Sequence, residues 1–134
     1  MVRPSYKRHI VGYYTDEKGR VRPITKRLPR AKLALARSRE AKIQEALRRV
    51  KENIKDVSVT PLKYYLVGSF ARGMETPQSD LDIYVQIKEK LSVEEANEVG
   101  AELWKRTGYV DSHKVDVTVG SEPPFAYAIE LRQR

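Results

Sequence analysis

The chain has 134 residues, enough for one compact domain with a short appendage but too few for a second full domain. It has no cysteine and only two histidines, which excludes disulfides, thiolate metal sites and histidine-rich metal cages, so we expect any metal to be held by oxygen ligands. The sequence offers neither a membrane-spanning run nor the apolar core of a signal peptide, and we therefore expect a cytoplasmic protein without membrane contacts.

The net charge of +8 is unevenly distributed along the chain. In residues 1–55 Lys and Arg outnumber Asp and Glu by 17 to 5, whereas in residues 56–134 the acidic residues outnumber the basic ones by 13 to 9. A basic region is suited to nucleic acid and a mildly acidic one to a divalent cation. We predict a basic N-terminal arm in residues 1–29 and a main domain in residues 30–134.

The first predicted element is a β-hairpin in residues 9–25. Two β-rich runs, IVGYY and RVRPIT, surround a turn that contains Gly19. After Pro29 the chain runs to Lys55 without glycine or proline, and its apolar residues recur at the spacing of a helix face. This pattern predicts a long amphipathic helix whose inward stripe contains Ala36, Ile43, Leu47, Val50 and Ile54.

The hairpin also carries aromatic residues among basic ones. Tyr6, Tyr13 and Tyr14 are interleaved with Arg and Lys, a mixture typical of segments that stack bases and neutralise phosphates. Binding of RNA or DNA by this segment is one hypothesis, and a solvated basic surface is the alternative. His9 and His113 are interpreted as ordinary hydrogen-bonding residues rather than metal ligands.

Two strands are predicted in the middle of the chain. Leu62–Val67 is a short apolar and aromatic run that ends at a glycine turn, and the loop 69–79 that follows begins with a helical turn. In the next strand, Asp80–Ile87, apolar and polar residues alternate. Because successive side chains of a strand point to opposite faces, Asp80 and Asp82 are expected to share the face opposite the core.

A helix and a strand are predicted next. Ser92 and Glu95 form a capping box for a helix that ends near Thr107, with Trp104 helping to anchor it and an inward stripe of Val93, Ala96, Gly100 and Leu103. The run 114–119 alternates again and brings Asp116 to the open face.

The tail, Pro123–Arg134, is predicted to form a last short helix carrying Phe125, Ile129 and Leu131. The fold is therefore expected to be α+β (α/β in the broad sense). It has a small mixed sheet, helices packed on one face and three aspartates on the other, and the N-terminal hairpin and long helix precede it.

The aspartates form the most informative pattern in the sequence. Gly68 and Ser69 are followed by ten residues, then by Asp80 and Asp82, and Asp116 comes from a separate strand. Three convergent carboxylates suit Mg²⁺, and two such ions can hold the attacking and leaving oxygens of a phosphoryl transfer.

The run GSFARGMETPQSDLDIYV, with VDVTV downstream, resembles the nucleotidyltransferase signature of the DNA polymerase β superfamily in its minimal, single-domain form. The resemblance covers about Leu62 to Val119 and implies a polymerase-β-like fold and nucleotidyl transfer. It implies that Asp80 and Asp82 bind metal and that Asp116 helps to activate the acceptor hydroxyl. It further implies nucleotide-binding roles for Gly68, Ser69, Arg72 and Ser79.

Several of these assignments have alternatives. Asp111 competes with Asp116 for the third role, but it precedes the strand pattern, so Asp116 is preferred. Arg72 is alternatively a solvated loop arginine, Ser79 a cap of the turn, and Glu75 is interpreted as a surface residue.

We expect an enzyme that uses Mg²⁺, with two ions bound, to transfer NMP from an NTP to an acceptor that the sequence does not identify. AMP from ATP is preferred because ATP is plentiful. Minimal enzymes of this kind resemble antitoxins that nucleotidylate a helical HEPN toxin, which makes a HEPN-type partner our first expectation. An RNA-modifying transferase that uses the basic N-terminal segment, and a noncatalytic binding module, are the alternatives. The oligomeric state is not predicted.

Overall fold

The computed structural model describes the backbone of residues 8–15, 17–27 and 30–132, and the side chains of residues 17–21 and 38–132. Its elements follow one another in this order: β1 (Arg8–Thr15), β2 (Val21–Arg27), α1 (Arg30–Asn53), a 3-10 turn (Ile54–Asp56), β3 (Pro61–Val67), α2 (Gly68–Arg72), β4 (Leu81–Ile87), α3 (Val93–Thr107), β5 (Tyr109–Val110), β6 (His113–Gly120) and β7 (Ile129–Leu131).

The N-terminal elements follow the sequence pattern. β1 and β2 pair antiparallel, which confirms the predicted hairpin, and α1 confirms the long helix. The stripe of α1 is buried from Ile43 onward, whereas Ala36, His9 and the hairpin tyrosines lie outside the described side chains. Within the described ranges, no helix combines the length and the apolar character that a membrane crossing requires. The domain boundary at residue 29 stays a prediction.

The main sheet has five strands in the order β5-β6-β4-β3-β7. β4 and β6 are parallel neighbours, and every other pair in the sheet is antiparallel, which confirms the predicted mixed sheet. A parallel pair requires a crossover connection, and α3 supplies it between β4 and β6. The two strands that carry the aspartates therefore lie side by side at the centre of the sheet.

The core occupies one face of this sheet. The apolar residues of β4 that alternate with polar ones are buried, and Leu81, Ile83 and Val85 have no exposed surface. They belong to one cluster with apolar residues of α1 and α3, including Val50 and Leu103. The predicted inward side of β4 is therefore confirmed. Burial of these residues fixes the register of the strand and, with it, the positions of the polar side chains on the opposite face.

Helix α3 begins and packs largely as expected. The Ser92 hydroxyl accepts a hydrogen bond from the Glu95 amide and the Glu95 carboxylate accepts one from the Ser92 amide, both at 3.1 Å, which confirms the capping box. Gly100 and Leu103 are buried as predicted. Ala96 is partly buried and packs against the core, whereas the inclusion of Val93 in the inward stripe is wrong, because the first three residues of α3 are exposed and Val93 is 77% exposed.

The C-terminal tail differs from the prediction. The predicted helix is wrong: Ile129–Leu131 is a strand that pairs antiparallel with β3, and Phe125 is fully exposed. Pro123 and Pro124 lack amide hydrogens, and pairing with the edge of β3 satisfies the backbone of the short apolar run that follows them. A further strand, β5, has only two residues, pairs with the start of β6 and was not predicted.

Candidate active site

The sheet topology brings three chain segments to one place on its open face. In the parallel ladder of β4 and β6, Asp82 lies directly opposite Asp116. In the antiparallel ladder of β3 and β4, Val67 lies opposite Asp82, so the next residue, Gly68, begins α2 beside that carboxylate. Asp80 lies just before β4. Residues that are almost fifty positions apart therefore meet at neighbouring strand ends.

The three selected carboxylates converge. One oxygen from each of Asp80, Asp82 and Asp116 lies within 4.8 Å of the others, close enough to share a metal ion. Asp111, the alternative, is not in this group; it occupies a turn with φ 54°, and its carboxylate is 4.0 Å from the Lys42 ammonium. The predicted convergence of Asp116 with the D-x-D pair is thus found, while the catalytic roles of these residues stay predictions.

The proximity of the carboxylates affects their protonation. The pKa of Asp82 is raised from 3.8 to about 6, chiefly by burial and also by the negative charges of Asp116 and Asp80, whereas the Lys114 ammonium opposes the shift. Both causes penalise the ionised carboxylate, and a cation among the three side chains would relieve the second.

Gly68 is required for this geometry. Its φ is 71°, a conformation that side chains with a Cβ adopt at a cost. A Cβ built at Gly68 would overlap Oδ2 of Asp82 and lie 3.1 Å from its Cγ. Glycine therefore allows the turn and the Asp82 carboxylate to occupy adjacent space. Ser69 follows in the first turn of α2 and is partly exposed.

The loop between α2 and β4 carries the other predicted nucleotide ligands. Arg72 is exposed at the last position of α2, where the loop begins. The Ser79 hydroxyl accepts a hydrogen bond from the Thr76 amide at 2.8 Å and lies 3.2 Å from the Thr76 hydroxyl. These bonds agree with the alternative role of Ser79 as a cap of the turn. Contact of Arg72 or Ser79 with a nucleotide stays a prediction.

Two residues that support this loop were missed or misread in the sequence. Arg39 of α1 donates to both oxygens of Glu75 at 3.1 and 3.2 Å and also to the Phe70 carbonyl, and the paired side chains are only 17% and 20% exposed. The interpretation of Glu75 as a surface residue is therefore wrong. Because Arg39 and Glu75 are 36 positions apart, no local pattern indicates the pair.

His113 holds the same loop from the other side. It is buried, its Nδ1 lies 2.7 Å from the Ser79 carbonyl oxygen, and its ring meets that of Phe70 edge-on at 5.0 Å. A carbonyl oxygen can only accept, so Nδ1 carries the proton. The predicted role of His113 as an ordinary hydrogen-bonding residue is confirmed, and this bond fixes the residue that precedes Asp80.

Comparison with known proteins adds one finding to this geometry. The sequence profile of the family described as "Nucleotidyltransferase domain" matches residues 43–132, about two thirds of the chain. The match begins in α1 and ends after β7, so it contains all three aspartates, the Gly68 turn and the loop between them. No curated protein and no solved structure matches the chain.

Proposed function

Because the chain belongs to the nucleotidyltransferase domain family, and is therefore an enzyme that transfers a nucleotide, we propose that it uses Asp80, Asp82 and Asp116 to transfer AMP from ATP to an acceptor hydroxyl. One observation carries the proposal: the three carboxylates lie within 4.8 Å of one another beside the Gly68 turn. ATP is preferred over the other nucleotides because it is plentiful.

The donor set fits hard divalent cations, and we propose two Mg²⁺ ions. All three side chains offer carboxylate oxygens, the ligands that Mg²⁺ prefers, and the group contains no sulfur or imidazole. When bound, such ions neutralise the triphosphate and stabilise the charge that develops on the attacking and leaving oxygens. The raised pKa of Asp82 supports this assignment, since crowded carboxylates are costly without a counter-charge.

The other predicted residues are proposed to bind the nucleotide donor, ATP. Gly68 lets the backbone of the turn approach a phosphate, and the Ser69 hydroxyl is available there as a hydrogen-bond donor. The exposed guanidinium of Arg72 is suited to a bidentate contact with phosphate oxygens. Ser79 contributes by closing the turn that leads to Asp80.

Asp116 is the residue we assign to the acceptor. It lies opposite Asp82 in the ladder and belongs to the strand farther from the Gly68 turn, which supports a position for the incoming hydroxyl beside Asp116. An ionised carboxylate there accepts the hydroxyl proton while the acceptor oxygen attacks the α-phosphorus. In-line attack requires that the leaving pyrophosphate lie on the opposite side, toward Gly68 and Ser69.

We propose that the acceptor belongs to a partner protein of the helical HEPN type, which would make the chain the antitoxin of a toxin–antitoxin pair. A second candidate is RNA, favoured by the excess of Lys and Arg in residues 1–55. Salt-dependent binding of tRNA or a single-stranded oligonucleotide supports the second candidate, and absence of binding at about 50 mM salt rejects it.

The proposed chemistry is tested with radiolabelled ATP, Mg²⁺ and candidate acceptors. Asp116→Asn keeps the shape of the side chain but removes the proton acceptor, and we expect labelling to fall by about 10²–10⁴-fold. Asp111→Asn is the matched control, since that carboxylate lies outside the group, and it should label as the wild type does. Equal labelling by wild type, Asp116→Asn and the double variant Asp80→Ala/Asp82→Ala would refute the proposal.

A further inference from the structure

A lysine lies beside the three aspartates on the open face of the sheet. Asp82 lies opposite Asp116 in the parallel ladder of β4 and β6, and the same register, continued two positions back, brings Asp80 beside Lys114. Side chains two residues apart on a strand share a face, and adjacent strands are about 4.8 Å apart. Four charged groups therefore occupy one small area of the open face, three of them carboxylates and the fourth an ammonium.

The Lys114 ammonium contacts an aromatic ring rather than a carboxylate. It lies 4.5 Å from the centre of the Trp104 ring, within the range of cation–π attraction. Tyr109, which pairs with Lys114 in the ladder of β5 and β6, meets the Trp104 ring edge-on at 5.4 Å. No carboxylate among the described residues forms an ion pair with Lys114. The ammonium is thus close to the aspartates without direct contact with any of them.

This position leaves the carboxylates available to a divalent cation. An ammonium in contact with Asp80 or Asp116 would occupy the same carboxylate oxygens that a metal ion requires. The lysine side chain is flexible, so its own stereochemistry does not prevent such a contact. The Trp104 ring provides a competing position for the ammonium, in the last turn of α3, where the helix dipole also favours a cation.

Lys114 lies on the side of the aspartates that is farther from the Gly68 turn. β3 and β6 flank β4 on opposite sides, and Gly68 follows β3. Since the leaving pyrophosphate is proposed to lie toward the Gly68 turn, the phosphate nearest to β6 is the α-phosphate. The Lys114 charge also acts on the centre of the group, because it lowers the pKa of Asp82.

The transfer creates a need for positive charge at the α-phosphate. The acceptor oxygen forms a bond to the α-phosphorus as its proton passes to the Asp116 carboxylate. The bond from the α-phosphorus to the bridging oxygen breaks, and pyrophosphate leaves with that electron pair. Negative charge is spread over the oxygens of the transferred group in the transition state, and a cation held beside them stabilises it.

We propose that Lys114 is a catalytic residue whose ammonium contacts a non-bridging oxygen of the α-phosphate, and that Trp104 is the positioning residue that keeps this ammonium off the aspartates until the nucleotide binds. The inference rests on the proposed nucleotidyl transfer and adds two residues to it. Lys114 keeps its proton throughout, and its ammonium moves from the indole ring to the phosphate when ATP binds.

Trp104 is the only tryptophan in the chain, so its fluorescence reports on this movement. The full chain is titrated in the presence of Mg²⁺ with the α,β-methylene analogue of ATP, which cannot release pyrophosphate. We expect the emission of the wild type to change as the analogue binds. Lys114→Met has a side chain of similar length without the charge, and it should bind the analogue about 3- to 10-fold more weakly, measured by calorimetry, without the emission change at saturation.

Two further ligands identify the phosphate that Lys114 contacts. Adenosine and pyrophosphate should each leave the emission of the wild type unchanged, because neither carries an α-phosphate. If pyrophosphate alone reproduces the emission change, the assignment to the α-phosphate is overturned. If Lys114→Met retains the full change with the analogue, the contact between Lys114 and the nucleotide is overturned.

Metal binding tests the positioning role of Trp104 in the absence of nucleotide. Mn²⁺ also prefers carboxylate ligands, and the free ion can be counted by electron paramagnetic resonance. Trp104→Leu should weaken Mn²⁺ binding by about 5- to 10-fold, because the released ammonium pairs with the aspartates. The double variant Trp104→Leu/Lys114→Met should recover at least the affinity of the wild type.

This recovery separates positioning from a structural role of Trp104. If the indole only supports the fold, the double variant should bind Mn²⁺ as weakly as Trp104→Leu does. That result, or a wild-type affinity in Trp104→Leu, would overturn the positioning role. Trp104→Phe, which retains a ring with weaker attraction for a cation, replaces Trp104→Leu if thermal denaturation shows that the leucine variant does not fold, and the same recovery by Lys114→Met is expected.

Transfer rates connect Lys114 to the chemistry. With ATP labelled at the α-phosphate and an acceptor that the wild type labels, Lys114→Met should lower the rate by about 10- to 100-fold. Lys114→Arg should recover part of this loss, because a guanidinium also stacks on an indole and binds phosphate. Lys105→Met is the matched control, since Lys105 is exposed and adjacent to Trp104 in α3, and it should leave the rate, the emission change and the Mn²⁺ affinity unaltered.

The measurements distinguish failure of this inference from failure of the proposed function. A wild type that binds neither Mn²⁺ nor the ATP analogue and labels no acceptor refutes the proposed function. A wild type that binds both, with Lys114→Met and Trp104→Leu behaving as the wild type does, refutes only the roles of these two residues. Equal transfer rates in the wild type and Lys114→Met would by themselves overturn the catalytic role.

Discussion

The two faces of β4 and β6 differ in their roles. The inward face stabilises the fold and the outward face carries the carboxylates, although residues of the two faces alternate along the same strands. Inward residues such as Ile83 and Val117 are β-branched and nearly or wholly buried, whereas the outward side chains at the same end of the sheet include Asp82 and Asp116. The buried face fixes the strand register, and the register fixes where the carboxylates meet. Substitutions on the two faces should therefore separate stability from activity.

The largest effect on stability is expected on the inward face. Ile83→Ala removes a side chain with no exposed surface from the central strand, and the free energy of unfolding should fall by about 2–5 kcal/mol, measured by urea denaturation. Thr118→Ala, at an exposed outward position, should change it by less than about 0.5 kcal/mol. Similar losses in both variants would contradict the division between the faces.

The close approach of Gly68 to the Asp82 carboxylate is tested by substituting Gly68. Gly68→Ala places a Cβ at positive φ, which costs roughly 1–2 kcal/mol, and also pushes it into the Asp82 carboxylate. Because a displacement of about 1 Å at a reacting centre can cost about 100-fold in rate, we expect nucleotidyl transfer to fall by that order.

Gly19→Ala is the control for the backbone effect alone. Gly19 has φ 76°, and no heavy atom of the described residues lies within 4 Å of the position of a Cβ there; it lies in the hairpin turn. Transfer activity should be retained in this variant. If both alanine variants lose activity to the same extent, strain at positive φ rather than the contact with Asp82 accounts for the loss.

In the absence of metal, the ionised Asp82 carboxylate on the outward face should lower the free energy of unfolding. The pKa of Asp82 is raised by burial and by Asp116 and Asp80, from 3.8 to about 6, so its contribution to stability is complete below pH 3.8 and is lost as the pH rises through about 6. At pH 7.5, after discounting for partial exposure, Asp82→Asn should raise the free energy of unfolding by about 1–2 kcal/mol in the presence of a chelator.

Thermal denaturation between pH 4 and pH 8 measures this effect. The stability gain of Asp82→Asn over the wild type should grow with pH through that window, and Asp111→Asn should show no such growth. Adding a divalent cation should raise the melting temperature of the wild type more than that of Asp82→Asn, because the ion binds the folded state through the intact group. A gain that shrinks as the pH rises would contradict the assigned cause.

Strand periodicity explains why the sequence predicts the site better than its surroundings. A side-chain period of two determines that Asp80 and Asp82 share a face, whatever the rest of the fold does, and the alternation around Asp116 adds the third carboxylate. The tail is a strand because β3 has an edge to pair with, which no local pattern indicates. The exposure of Val93 likewise depends on where α3 meets the sheet.

The smallest effect is expected from weakening the contact between α1 and the loop that joins α2 to β4. Glu75→Gln removes the charge from a pair in which Arg39 donates to both carboxylate oxygens while also holding the Phe70 carbonyl. Because the two side chains are mostly buried, we expect a loss of about 1–2 kcal/mol in unfolding free energy and a rise in the KM for ATP of a few fold, about 2–5. The reason for the KM effect is that the loop leads directly to Asp80.

Glu52→Gln provides the matched comparison, since Glu52 pairs with Arg48 at 2.9 Å on the exposed side of α1, where the side chains are 61% and 44% exposed. Solvent screening should limit its effect to less than about 0.5 kcal/mol, with no change in KM. The difference between the two variants isolates burial and loop position from the mere presence of an ion pair. If Glu52→Gln costs as much as Glu75→Gln, then α1 stabilises the protein through its surface charges, and Arg39 has no particular role in holding the loop.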